Sequence, residues 1–279
     1  MLPVLHCHCQ VAGRWYISAE LKTGSWMNKS VSAISVLIVA CIIFFVISFF
    51  VPDMQVFMFE TFALYFPPQQ NFRVWQFVSN IFMHGGFTHI FFNMYALWAF
   101  GSPLEQMWGK KKFLFFFFLA GIGAAVIYTL VNYLQFNNLY NELISSGADE
   151  NGINAFLQTG KYNVSGLGGV SEDKLRGLYR LFNTPVVGAS GAIYGVLVAF
   201  GILFPNAKLF LIFLPVPIAA KYFIPVLIGL DLFSGVTGFS IFGGNVAHFG
   251  HVGGAVIGLL LMLYWRSRAP RTPRHFNGD

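Results

Sequence analysis

The sequence has little charge. Asp, Glu, Lys and Arg together make up 10% of its 279 residues, against about 25% in a typical soluble domain. So few charged groups could not cover the core of a soluble domain this long. That excludes an ordinary cytosolic enzyme, a disordered chain and a nucleic-acid binder. Cysteine is also scarce: Cys7, Cys9 and Cys41 suggest no disulfide framework. His6-Cys7-His8-Cys9 has the residue types of a metal clip, but nothing else joins it, and it reads as part of a terminal tail. No His-Glu-x-x-His pattern occurs, which weighs against a zinc-dependent membrane protease. No internal repeat is evident, which counts against an inverted-repeat transporter. No metal or other cofactor is expected.

What the chain has in abundance is apolar side chains. Hydrophobic residues reach 56%, aromatic residues 18%, and phenylalanine alone occupies 33 positions. A helix that crosses a bilayer needs about 20 mostly apolar residues. Six candidates emerge, at about Ser32–Val51, Phe87–Trp108, Phe113–Leu134, Ala189–Phe204, Tyr222–Val236 and Val246–Trp265. The expected fold class is therefore an all-α membrane protein with six transmembrane helices. The first run is too long for a signal peptide and follows a stretch with no clear cleavage site. Residues 1–31 are expected to be a cytoplasmic tail, although Met27-Asn28-Lys29 would make an equally good start. Residues 32–265 form the membrane domain and 266–279 a basic cytoplasmic tail.

Lys and Arg set the expected sidedness. With the N-terminus inside, twelve of them lie on the cytoplasmic side, among them Lys110, Lys111, Lys112, Lys208, Lys221, Arg266 and Arg268. Only Arg73, Lys161, Lys174, Arg176 and Arg180 lie outside. That bias supports cytoplasmic termini and an even number of spans in a cell membrane. The basic excess then reflects topology and anionic lipid headgroups rather than an acidic partner. Two outer loops are long. Residues 52–86 are apolar for a loop and are expected to associate with the membrane interface. Residues 135–186 are polar and rich in Asn and Gly, and a loop of that length is usually functional or partly disordered.

Polar groups inside spans are costly and are functional candidates by default. They include His89, Asn93, Glu105, Ser190, Tyr194, His248 and His251. Ser190 sits in Gly188-Ala189-Ser190-Gly191-Ala192-Ile193-Tyr194-Gly195. Small residues every four positions let helices pack closely, and that alone explains Gly191 and Gly195. The sharper reading makes Ser190 a nucleophile. The last span carries a second stripe, Gly250, Gly254 and Gly258, with His251 on nearly the same face as Gly258. A serine hydroxyl needs a base, usually histidine. Two glycine-lined helices, one with each, favour catalysis.

Depth gives an independent test. Ser190 lies 14 residues before Phe204, His251 14 before Trp265 and Asn93 15 before Trp108. At 1.5 Å per residue each polar group stands about 21–22 Å from the inner end of its helix. All three share one level, about 8–9 Å below the outer face of a ~30 Å hydrocarbon core. The short fourth span starts below that face. Its N-terminus points free N–H groups and a positive dipole at Ser190, an arrangement suited to an oxyanion.

With these residues in place, the chain resembles the rhomboid intramembrane serine proteases. The resemblance rests on Gly188-Ala189-Ser190-Gly191 with Tyr194, and on His251-Val252-Gly253-Gly254 with Gly258. His84-Gly85-Gly86-Phe87-Thr88-His89-Ile90-Phe91-Phe92-Asn93 matches the start of the family's second helix, and Glu105 with Gly109 the turn that ends it. It covers about residues 32–265.

The resemblance implies a six-helix rhomboid-like bundle that cleaves single-span membrane proteins within the bilayer. Ser190 would be the nucleophile and His251 the general base and acid, a pair with no carboxylate. The Ser190 N–H and the His89 and Asn93 side chains would form the oxyanion hole. Tyr194 would stack on His251. Glu105 would fix the helix arrangement. His84 would either help water reach the site or be an ordinary interfacial polar residue. The family pattern places Gly three and seven residues after the catalytic histidine, which selects His251 over His248. The stretch from about Asp231 to Ala247, with the fifth span, would form a gate for substrate entry. The rival reading is a non-catalytic rhomboid-like protein that binds membrane clients. Such proteins lack the serine or the histidine, and this chain has both.

Overall fold

In the computed structural model the described residues are 6–7, 17–18, 31–161, 171–211, 214–239 and 247–268. His8 and Cys9 of the candidate clip, the tail beyond residue 268 and residues 240–246 of the expected gate lie outside them. The chain divides into two units, residues 1–31 and 32–279. In the first, β1 (His6–Cys7) and β2 (Ile17–Ser18) form a short antiparallel ladder with His6 opposite Ser18.

The second unit is helical from its start. α1 (Ala33–Phe50) is apolar on every side, as a lipid-embedded helix must be. Its N-terminus is held by Glu105, whose carboxylate accepts from Ser32 Oγ (2.6 Å), Ala33 N–H (2.7 Å) and Ile34 N–H (3.2 Å). A carboxylate there satisfies first-turn donors and complements the helix dipole. α2 (Met54–Phe62) and α3 (Gln76–Ser79) lie within residues 52–86, the stretch expected as the first outer loop. Gln76 is fully buried and organises that loop. Its Oε1 accepts from Tyr65 N–H (3.2 Å) and Arg73 N–H (3.1 Å), and its Nε2 donates to the Glu60 (3.1 Å) and Asn71 (2.9 Å) carbonyls.

α4 (Phe87–Trp108) returns towards the α1 N-terminus, and α5 (Lys110–Ser145) follows after the Gly109 turn. At 36 residues α5 is about 54 Å long. It therefore passes well beyond a ~30 Å hydrocarbon layer. The third span was expected to end near Leu134. The helix continues because its last turns find tertiary support.

That support comes from α6 (Glu150–Thr159) and α7 (Glu172–Asn183), which lie within the stretch expected as the second outer loop. Leu143, Ile153, Phe156, Leu157, Leu175 and Leu178 form a buried cluster of their own. Asn132 Nδ2 donates to the Leu181 carbonyl (2.9 Å) and Asn183 Nδ2 to the Leu157 carbonyl (2.8 Å). The two stretches expected as outer loops meet where Phe66 packs on Phe136 and Phe182.

α8 (Ser190–Leu203) runs through the centre of the bundle and packs against α4, α5 and α10. Ala192 to Leu197 are all buried. A hairpin of β3 (Lys208–Leu211) and β4 (Leu214–Ala219), with Lys208 opposite Ala219, leads into α9 (Ala220–Thr237) and then α10 (His248–Arg268). Six helices thus occupy the six expected spans. Four of them, α1, α5, α9 and α10, are long and apolar enough to cross a membrane by length and composition. Large apolar side chains such as Val36, Phe91, Trp98, Leu260 and Leu263 face outward. An exposed apolar surface of this kind belongs against lipid. At the end shared by α4, α5 and α10, Trp108 meets Trp265 edge-on and Lys112 Nζ sits 4.1 Å from the Trp265 ring centre. Aromatic and basic groups together mark a headgroup level.

Candidate active site

α8 and α10 touch backbone to backbone. A Cβ added to Gly258 would lie 2.6 Å from Gly195 Cα, and one added to Gly254 would overlap the Gly191 carbonyl oxygen. Only glycine permits this approach. α5 closes the third side, since a Cβ on Gly191 or Gly195 would lie 2.6 Å from Ala124 or Ala120.

The contact places Ser190, next to Gly191, opposite His251, three residues before Gly254. His251 Nε2 lies 2.8 Å from Ser190 Oγ. Tyr194, one turn beyond Ser190, stacks on the His251 imidazole with ring centres 4.3 Å apart and planes 14° apart. Ser190 is the first residue of α8, so main-chain N–H groups with no intrahelical acceptor surround it.

His89 approaches from α4. Gly85 N–H donates to its Nδ1 (3.3 Å), which puts the proton of the neutral ring on Nε2. Gly188 has φ +123°, and a Cβ there would lie 2.7 Å from His89 Nε2 and 3.6 Å from Ser190 Oγ. The bare backbone at 188 is what keeps the space between them open. Asn93 is buried. One N–H of its amide donates to the His89 carbonyl (2.8 Å), and its Oδ1 meets no donor.

His84 is also buried, at 1% exposure. Its Nδ1–H donates to the Phe82 carbonyl (3.2 Å), and its ring stands 5.2 Å from that of His89. Burial first, and then neighbouring His89, pushes its imidazole down to about 3. His84 is thus a neutral, enclosed ring. Glu105 is remote from this group, at the α1 N-terminus, so the structure gives it a capping position. Among the described residues no cluster of His, Cys, Asp and Glu could hold a metal ion.

A histidine–serine pair without a carboxylate was expected, but Asp231 of α9 lies fully buried beside it. Asp231 Oδ1 is 3.2 Å from His251 Nδ1 and 2.6 Å from His248 Nδ1, and Oδ2 accepts the Tyr194 hydroxyl. A carboxylate therefore stands beside the pair, at a position the sequence marks only as the edge of a gate. An acidic residue inside an apolar run was the available signal. His248 therefore faces the carboxylate, whereas His251 lies between the carboxylate and the serine.

This geometry belongs to a recognisable class. The Rhomboid domain family matches residues 71–149 and 153–268, and the chain is a member of the rhomboid family. Its relatives include presenilin-associated rhomboid-like protein A, mitochondrial, of Danio rerio, 29% identical over 79% of this chain and 46% of that protein. The human presenilin-associated rhomboid-like protein, mitochondrial, is 27% identical over 68% of this chain and 38% of its own length. Rhomboid protein 1, mitochondrial, of Saccharomyces cerevisiae is 26% identical over 67% of this chain and 40% of its own length. The chain thus spans less than half the length of these relatives. It is a multi-pass membrane protein.

Proposed function

We propose that the protein is an intramembrane serine endopeptidase that cleaves single-span membrane proteins with Ser190 and His251. The observation that carries this reading is the 2.8 Å contact between His251 Nε2 and Ser190 Oγ at the N-terminus of a buried helix. His251 takes the Ser190 proton as Oγ attacks the scissile carbonyl. The oxyanion is received by the Ser190 N–H, His89 Nε2–H and the second N–H of Asn93. His251 then gives its proton to the leaving amine, and water releases the acyl group. The substrate helix must unwind locally first, because helical carbonyls are hydrogen-bonded and shielded. Small residues are expected at the cleaved position.

We place the active site open to the outer side, with the basic end of the bundle in the cytoplasm of a cell membrane. Since several relatives are named as mitochondrial, an organelle membrane is the rival location, and fractionation with protease protection separates the two. Bilayer lipid and single-span substrates are the proposed partners, with no nucleic acid and no metal.

The test uses purified protein in proteoliposomes with a single-span substrate. Ser190→Ala and His251→Ala are each expected to abolish cleavage while leaving the fold intact, and a fluorophosphonate is expected to label Ser190. Wild-type cleavage by both variants refutes the assignment. Folded protein that neither cleaves nor labels supports the client-binding reading instead.

A further inference from the structure

Asp231 is a charged group in an expensive place. It sits on a membrane helix at 0% exposure, where a lone carboxylate would not persist. Three polar groups converge on it from two other helices: the Tyr194 hydroxyl, which donates from α8, and ring Nδ1 of His248 and of His251 from α10. An ionised carboxylate accepts at both oxygens and donates nothing, so beside it each of these ring nitrogens carries its proton.

The arrangement has a chemical consequence for His251. An imidazole that donates Nδ1–H to a carboxylate must carry its lone pair on Nε2, the atom that faces Ser190 Oγ. That is the only tautomer able to take the serine proton. When it does so, the ring becomes an imidazolium in a low-dielectric interior. The Asp231 carboxylate, 3.2 Å from Nδ1, then supplies a charge of opposite sign in contact with it.

We propose that Asp231 is a positioning residue that completes a Ser190–His251–Asp231 relay, with Tyr194 and His248 holding the carboxylate. Tyr194 does two things at once. Its ring packs on the His251 face, and its hydroxyl fixes the oxygen of Asp231 that His251 does not use. His248 holds the shared oxygen from the neighbouring turn of α10. This inference rests on the protease reading and deepens it.

Two measurements test it. The first is kinetic, in proteoliposomes. In soluble serine proteases, exchanging the orienting carboxylate for an amide lowers kcat by about 10⁴. Asp231→Asn is expected to lower kcat by about 10²–10⁴ with KM changed less than threefold. Asp231→Glu is expected to recover part of the loss, and Tyr194→Phe to lower kcat by about 10-fold, the order expected when one hydrogen bond to a charged group is lost. A folded Asp231→Asn variant with kcat within threefold of wild type overturns the proposal. The second is nitrogen NMR of ring-labelled wild-type protein, which reads the His251 tautomer and needs no variant to fold. A proton on Nδ1 at neutral pH supports the relay, and a proton on Nε2 overturns it. The tautomer is read whether or not the protein cleaves, so failure of the protease reading and failure of the relay remain distinguishable.

Discussion

Replacing Gly254 with alanine tests whether backbone contact between α8 and α10 sets the catalytic distance. The new Cβ would overlap the Gly191 carbonyl oxygen and lie 2.7 Å from its carbonyl carbon and 3.2 Å from Cα. Carbon atoms in contact rest about 3.5–4.0 Å apart. No rotamer relieves the clash, because every atom involved is main chain, so the helices must part by about 1 Å. Ser190 adjoins Gly191 and His251 is three residues from Gly254. The same displacement therefore stretches the 2.8 Å Ser190–His251 contact to about 3.8 Å, beyond hydrogen-bond range.

A misplacement of about 1 Å costs about 10²-fold in rate. Overpacking costs about 1–3 kcal/mol of stability, of which the better helix propensity of alanine returns up to about 1 kcal/mol. Gly254→Ala is thus expected to lose about 10²-fold in cleavage while remaining folded. Cleavage in proteoliposomes and a denaturant titration in detergent measure the two effects. Gly229→Ala on α9 is the control, because nothing lies within 4 Å of its Cβ position, and it should be neutral or slightly stabilising. Activity of Gly254→Ala within threefold of wild type would refute the reasoning.

Glu105→Gln removes the charge that caps α1 and weakens its contacts with Ser32, Ala33 and Ile34. It is expected to cost about 1–3 kcal/mol in a thermal melt, with the activity of the folded fraction little changed. His84 predicts a pH effect. Its imidazole is held down to about 3 when folded and has its ordinary value of 6.5 when released. Between those values the unfolded chain binds the extra proton, so the His84 contribution to stability is complete above pH 6.5 and is lost as pH falls towards 3. The slope reaches about 1.4 kcal/mol per pH unit. His84→Gln should flatten the acid limb of Tm against pH, and an unchanged limb would contradict the burial argument.

The six main helices were legible, four of them long and apolar enough to cross a membrane, because a bilayer demands long apolar runs that soluble helices rarely show. The glycine stripes of α8 and α10 were legible for a related reason: small residues at four-residue spacing permit close contact. Neither rule reached residues 135–186. α6 and α7 are polar on most of their surface, and the few residues that bury them, such as Ile153, Phe156, Leu175 and Leu178, gain meaning only once the end of α5 is alongside. Asp231 was hidden differently. Its partners Tyr194, His248 and His251 stand 37, 17 and 20 positions away, so no local spacing announces the cluster. Gln76 likewise does its work through main-chain groups of its own loop, which any sequence supplies and no pattern marks.

The contact between α8 and α10 also limits how the protein can change. In an ordinary core, an enlarged side chain is tolerated when a neighbour shrinks. Where Gly254 meets Gly191 and Gly258 meets Gly195, neither partner has a side chain left to reduce. No second-site replacement at the partner glycine can therefore restore the fit. A suppressor of Gly254→Ala would have to move a whole helix, and with it the serine or the histidine. A suppressor screen should accordingly return true revertants and shifts in α5, but no compensating substitution at Gly191.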